Sequence, residues 1–303
     1  MCGVITVMIV IILMAALLIV IALGVYSSGI MVQIKGHTLE EARERQSNHY
    51  DTGFYDRLEK VDYEVASYDG YLLHAQLLKH PEPSQKYVIL SHGYTDNRFG
   101  CLKYVRLYLE LGFNCVIYDL RGHGLNETTF CTYSIREGRD LCAVVGDARK
   151  RWPEMACLGL HGESLGAATT AAAMRYKPQV DFAVADCGFS EINSILKAGM
   201  RMSHLPGFMF GVARLCAKVR YGFDFNDMRP VDALRENDVP MLFIHGEADA
   251  FIPSSHSVAM RDATRGDAEL FLVPAARHAQ SVFIDYDGYL QRLDAFIKSH
   301  KGN

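Results

Sequence analysis

The chain has no excess of positive charge: 31 Lys and Arg stand against 35 Asp and Glu, a formal net charge of −4 over 303 residues. No long-range positive field gathers phosphate backbones, so nucleic acid is not an expected partner. Paired cysteines are lacking too. The eight Cys are scattered without C-x-x-C spacing or a Cys/His ligand pattern, and a chain of this length can build its core without disulfide staples. The thiols are expected to be reduced, and neither a metal nor an organic cofactor is called for. Internal repeats and low-complexity tracts are missing from the main body. Residues 1–25 carry no charged side chain at all.

That last absence is the most informative. The run is built from Val, Ile, Leu, Met and Ala, and about 20 such residues at 1.5 Å each cross the ~30 Å hydrocarbon layer of a bilayer. A helix on the surface of a soluble core shows a polar face instead. A single-pass membrane anchor over residues 1–26 is therefore expected. A cleaved signal peptide is the rival reading, because Ala22, Leu23 and Gly24 pass as a small-residue cleavage site; against it, the run is long and no basic residue precedes it. The nearest basic residues, Lys35, Arg43 and Arg45, follow the span, which by the positive-inside tendency puts the rest of the chain in the cytoplasm. Cys2 reads as an ordinary thiol.

Residues 27–60 are polar and read as a juxtamembrane tether, with a Glu- and Arg-rich short exposed helix at 38–46. From residue 61 the pattern alternates with period two. Residues 61–67 and 71–79 flank Asp69-Gly70, a hairpin signal. Short apolar runs follow at 87–91, 114–118, 155–160, 182–186, 241–244 and 270–273, separated by amphipathic segments such as Leu141, Val144, Val145, Ala148 and Trp152. Strands covered on both faces look like this, and strand–helix alternation implies right-handed crossovers and a mostly parallel sheet with helices on both faces. Residues 61–303 are expected to form one α/β domain. An insertion at about 190–238 breaks the alternation with two helices and no strand; it is rich in Met and Phe and reads as a helical lid or, alternatively, as two structural helices.

The sharpest local feature is Gly162-Glu163-Ser164-Leu165-Gly166, between an apolar strand and the small-residue run 167–173. A nucleophile elbow holds serine on a strained strand-to-helix turn, so its flanking positions must lack side chains. A serine hydroxyl also needs a base to take its proton and an acid to hold that base. Asp249, just past the strand at 241–244, and His278, just past the last strand, follow in the order Ser, Asp, His. Glu247 in the same turn is the alternative acid. His92, His245 and His123 lack that order and read as structural. The amides of Leu165 and, from the loop after residues 87–91, Tyr94 are the candidate oxyanion donors.

The set S-H-G-Y-T-D-N, Y-D-L-R-G-H-G, G-E-S-L-G, H-G-E-A-D-A-F-I-P and A-R-H-A resembles the α/β-hydrolase superfamily over residues 61–298. Within it, the likeness is to bacterial single-span hydrolases related to the serine aminopeptidase, monoacylglycerol lipase and feruloyl esterase groups. The resemblance implies the α/β-hydrolase fold, with Ser164, Asp249 and His278 as its triad. A serine hydrolase cleaving an ester is expected. The apolar insertion and the anchor favour a small acyl ester or lipid-like substrate. A serine peptidase of aminopeptidase type is the alternative, with Glu163 and Glu247 as candidate holders of a free amine, although glutamates at such turns are normally solvated. A non-catalytic scaffold of the same fold is the third reading.

Overall fold

The computed structural model describes residues 2–34, 36–202 and 206–300; Lys35, part of the orientation argument, and the side chain of Cys2 lie outside the described residues. Compactness divides the chain into two units, one of Ile34–Glu191 and Arg229–Asn303, the other of Met1–Gln33 and Ile192–Met228.

The larger unit is built on an eight-stranded sheet of order β1-β2-β4-β3-β5-β6-β7-β8. Its strands are β1 Lys60–Ala66, β2 Leu72–Leu78, β3 Lys86–Ser91, β4 Asn114–Tyr118, β5 Cys157–Glu163, β6 Phe182–Asp186, β7 Met241–Gly246 and β8 Ala268–Val273. β2 pairs antiparallel with β1 and with β4, and every later pair is parallel. The hairpin turns at Asp69-Gly70, where Gly70 takes φ +82°, a value that an L side chain resists. β4, β5, β6 and β7 are buried at every position, which is why their sequences do not alternate. β5 reaches past the apolar run 155–160 to Glu163, because His161, Gly162 and Glu163 are buried despite their small or polar character.

The helices of this unit are α2 Leu39–Ser47, α3 Phe54–Arg57, α4 Leu102–Glu110, α5 Ile135–Arg151, α6 Leu165–Ala173, α9 Pro230–Leu234, α10 Ser255–Ala263, α11 Ser281–Ile284 and α12 Tyr286–His300. Val88, Leu90, Ile117, Val184, Leu242 and Ile244 turn to one face of the sheet, covered by Tyr104 and Tyr108 of α4 and by Tyr289, Leu293 and Phe296 of α12. α6 packs on the opposite face against β3, β5 and β6, with α5 and α9 stacked on it. Ala167, Ala168 and Ala171 are fully buried there; their small side chains let the helix approach the sheet closely.

The stretch expected as a tether contains α2, whose N-terminus is closed by a capping box: Glu41 N donates to Thr38 Oγ1 (3.2 Å) and Thr38 N to Glu41 Oε2 (2.8 Å). Ala42 and Gln46, one turn apart, are buried. The short helix is therefore seated on the unit along one face, a correction to its reading as exposed. Asn97 Nδ2 holds its entry by donating to the carbonyls of His37 (3.0 Å) and Thr38 (3.1 Å).

The smaller unit consists of α1 Cys2–Val32, α7 Asn193–Met202 and α8 Phe208–Tyr221. α1 has 31 residues, and its stretch Gly3–Val32 is long and apolar enough to cross a membrane, consistent with a single anchor. The helix continues through Ser27 and Ser28 because the Ser28 hydroxyl donates back to the carbonyl of Val25 (2.8 Å), satisfying itself within the helix. Among the described residues the segment 192–228 holds helices and no strand.

Candidate active site

β5 ends at Glu163 and α6 begins at Leu165, so Ser164 occupies the sharp turn between them, with φ +53° and ψ −110°. Two glycines make the turn possible. A Cβ on Gly162 would come 2.0 Å from the Gly166 carbonyl oxygen, and one on Gly166 would come 2.1 Å from the Ser91 carbonyl oxygen. The strained serine is held from behind, where its N–H donates to the carbonyl of Asp186 (2.8 Å).

His278 and Asp249 arrive from loops that follow β8 and β7. His278 Nε2 lies 2.9 Å from Ser164 Oγ, and His278 Nδ1 lies 2.7 Å from Asp249 Oδ2. The other Asp249 oxygen accepts from the amides of Phe251 (2.9 Å) and Ile252 (2.8 Å). Burial alone would raise the Asp249 carboxyl; hydrogen bonds from His245 and His278, with the His278 charge and the Ile252 amide, outweigh it and hold the carboxyl below its usual range. The imidazole of His278 is about a quarter exposed while the Asp249 side chain is fully enclosed. The imidazole thus keeps an open edge while the carboxylate is closed off from solvent. Glu247, the rival acid, is exposed.

Of the two candidate oxyanion donors, Leu165 is the buried first residue of α6, beside Ser164. Tyr94 lies in the loop after β3. A Cβ on its neighbour Gly93 would stand 3.8 Å from Ser164 Cβ, so this loop passes directly by the serine. The Tyr94 carbonyl is held by His123 Nε2 at 2.6 Å, and its ring stacks on Tyr133 at 5.5 Å. His92 is locked in place as well: Nε2 accepts from Leu120 N (2.9 Å) and Nδ1 meets the Gly93 carbonyl (2.7 Å). Burial, then the neighbouring His123, holds its pKa well below the ordinary value. A neutral imidazole of one tautomer satisfies both contacts.

A family model described as serine aminopeptidase, S33, matches residues 82–230. An uncharacterized Bacillus subtilis protein, YqkD, is 29% identical over 92% of this chain and 93% of its own length. The human α/β-hydrolase domain-containing protein 17C is 28% identical over 72% of this chain; the matched part is 60% of that relative's length. Among solved structures, an esterase of Pyrococcus furiosus superposes with TM-score 0.69 at 21% identity, covering 84% of this chain and 96% of its own. An acylaminoacyl peptidase of Pyrococcus horikoshii superposes with TM-score 0.63 at 14% identity, over 83% of this chain and 44% of its own. The chain is an α/β-hydrolase-fold, serine-hydrolase-like protein. At such identities the solved structures carry the fold; fold and family model together support a serine-hydrolase type of enzyme.

The Y-D-L-R-G-H-G motif of this α/β-hydrolase-fold protein serves its loops. Asp119 is buried and accepts from the amides of Arg98 (2.9 Å) and Leu125 (3.0 Å), while Arg121 bridges Asp69 and Asp140. His245, set aside in the sequence as structural, has a larger part: its Nε2 lies 3.2 Å from Asp249 Oδ2, and Ser257 Oγ lies 2.7 Å from its Nδ1. Asp249 is thereby fixed between two imidazoles.

A polar cluster behind the elbow is wholly absent from the sequence reading. Glu163, expected to be solvated if it sits at an ordinary turn, is 7% exposed, ion-paired with Lys103 and hydrogen-bonded by Tyr104 Oη (2.7 Å). Tyr104 Oη also meets Asp186 Oδ2 (2.9 Å); Tyr289 Oη joins that same oxygen (3.0 Å) to His161 Nε2 (3.2 Å); and His161 Nδ1 meets Tyr108 Oη (3.2 Å). Burial, then the Lys103 charge, lowers His161 to about 3, so it is neutral. Five contacts then share four protons, one from each of three phenols and one from the imidazole. A fifth proton on Asp186 satisfies them all. Burial and the nearby Glu163 charge act in the same direction and raise the Asp186 carboxyl to about 6.

Because its folded pKa is raised, the stability contributed by Asp186 is present below the ordinary carboxyl range and lost as pH climbs through about 6. Asp186→Asn stays neutral throughout. In urea titrations from pH 5 to pH 8, the wild type should therefore lose roughly 1–1.5 kcal/mol relative to that variant. A difference that does not move with pH would mean that Asp186 keeps a single protonation state in the fold across this range.

Proposed function

We propose that this chain is a membrane-anchored serine hydrolase that cleaves a carboxylic ester through an acyl-enzyme, with Ser164 as nucleophile, His278 as general base and Asp249 as the acid that orients it. The observation that carries the proposal is the unbroken relay from Ser164 Oγ to His278 Nε2 (2.9 Å) and from His278 Nδ1 to Asp249 Oδ2 (2.7 Å). In the first step Ser164 Oγ attacks the carbonyl carbon as its proton passes to His278 Nε2. The amides of Leu165 and Tyr94 are the proposed donors to the oxyanion. Collapse expels the alcohol, protonated by His278. Water, activated by the same imidazole, then attacks the acyl-enzyme and releases the acid.

An ester is favoured over a peptide with a free amino terminus because such a substrate needs an unpaired carboxylate to receive its ammonium group. Glu163, the acid next to the nucleophile, is already neutralised by Lys103 and hydrogen-bonded by Tyr104, and Glu247 is exposed in solvent. The apolar α1, consistent with an anchor, favours an acyl or lipid-like ester of the kind handled by monoacylglycerol lipases and feruloyl esterases. The test sets p-nitrophenyl esters of graded acyl length beside aminoacyl anilides, with active sites counted by a fluorophosphonate probe. Ester turnover that exceeds anilide turnover is the expected result. Preferential anilide cleavage would establish the peptidase reading instead, and a protein that neither labels nor turns over would be a binding scaffold.

A further inference from the structure

α8 carries an apolar stripe that no described residue of its own unit covers. Phe208, Leu215 and Val219 are 62%, 63% and 81% exposed. At 100° per residue they fall within an arc of about 40°. The adjoining face, Val212 and Cys216, lies against Gly24 of α1, and the ends of Arg220 and Tyr221 lie over Gly29. Position rises together along both helices, so α8 runs in the same direction as α1 with its exposed stripe bordering the contact. The two helices form one continuous apolar surface.

The depth of that surface follows from α1 itself. Residues 3–19 and 21–23 are exposed, and burial against α8 begins in earnest at Gly24. Residues 3–23 at 1.5 Å each extend about 31 Å, the thickness of the hydrocarbon layer. Tyr26, 68% exposed, then marks the headgroup boundary, where aromatic rings with a polar tip accumulate. Val212 lies level with Gly24, and Phe208 is one turn, about 6 Å, nearer the span. The chemistry of the inserted segment agrees. Residues 192–228 contain five basic residues (Lys197, Arg201, Arg214, Lys218 and Arg220) against two acidic ones (Asp224 and Asp227), in a chain whose net charge is −4. Lys218 lies on the flank of α8 away from α1 and is exposed, with a long 3.5 Å contact to Asp224 Oδ2, as is suited to headgroup phosphates.

We propose that α8 is seated in the same bilayer that α1 crosses, with Phe208 and Leu215 among the acyl chains at the headgroup boundary and the basic flank of α8 among the phosphates. The proposal rests on α1 being a span, and it gives the inserted helices a second, lateral attachment to the membrane, independent of what the site hydrolyses.

The full chain, reconstituted in phosphatidylcholine nanodiscs with and without acyl-chain-brominated lipid, tests this through single tryptophan replacements read against the native Trp152. Leu13→Trp reports the span, Phe208→Trp and Leu215→Trp the stripe, and Val61→Trp, at an exposed position of β1, serves as the aqueous control. The expected result is a loss of fluorescence at Phe208→Trp and Leu215→Trp comparable to that at Leu13→Trp, with Val61→Trp unaffected by bromine and quenched by iodide. Quenching at Leu13→Trp while both stripe positions stay open to iodide would overturn the proposal and leave the span standing. Stripe positions shielded from iodide yet blind to bromolipid would mean that a second copy of the chain covers them, which also overturns it. No quenching at Leu13→Trp would remove the span and the proposal together.

Discussion

Replacing Ser164 with alanine is expected to lower ester turnover by about a millionfold, or about 8 kcal/mol of transition-state stabilisation, and to abolish fluorophosphonate labelling. The size of the effect reflects a change of reaction. Without Oγ there is no acyl-enzyme, and water must attack directly across a turn shaped around the serine. Folding should survive, because what holds the elbow is backbone: the Ser164 N–H still donates to Asp186 O, and the close approaches at Gly162 and Gly166 involve no atom of the Ser164 side chain. The check is kcat with a p-nitrophenyl ester alongside a thermal melt. Activity within tenfold of wild type, at an unchanged melting temperature, would show that the nucleophile lies elsewhere.

Asp249→Asn is expected to cost about 10⁴ in kcat while leaving substrate binding nearly unchanged. The carboxylate accepts from the Phe251 and Ile252 amides at Oδ1 and from His278 at Oδ2, with His245 Nε2 3.2 Å from the same Oδ2. An asparagine can keep its carbonyl on the two amides, but its NH₂ then faces both imidazoles. His278 can meet an N–H donor only with Nδ1 unprotonated, which leaves the proton on Nε2, pointing at Ser164 Oγ and unable to accept from it. Glu247→Gln, a change at an exposed side chain, should leave the rate as it is. A small loss at Asp249→Asn paired with a large one at Glu247→Gln would reassign the acid.

Much of this was legible in the chain because its causes are local. Asp69-Gly70 announces the hairpin through a backbone angle that favours glycine. The apolar runs of β4, β6 and β7 announce strands covered on both faces. The elbow announces itself through glycines whose missing side chains are required within a few residues of Ser164. β5 was read three residues short because His161, Gly162 and Glu163 are buried for reasons of packing that hydropathy does not record. The α2 helix was read as exposed because Ala42 and Gln46 are weak apolar signals; their burial depends on a surface supplied by residues 97–101.

By itself the sequence determined the α/β architecture, the order of the chemical groups along the chain, and a segment fit to enter a bilayer, since periodicity, turn chemistry and a charge-free run act over a handful of neighbouring residues. Tertiary structure decided the rest. It alone brings Lys103, Tyr104, Glu163, Asp186 and Tyr289 into one buried cluster behind the serine, sets His245 beside Asp249, and lays α8 along α1. The physical reason is that a buried charge is tolerated only where distant segments supply its partners. No window along the chain contains that information.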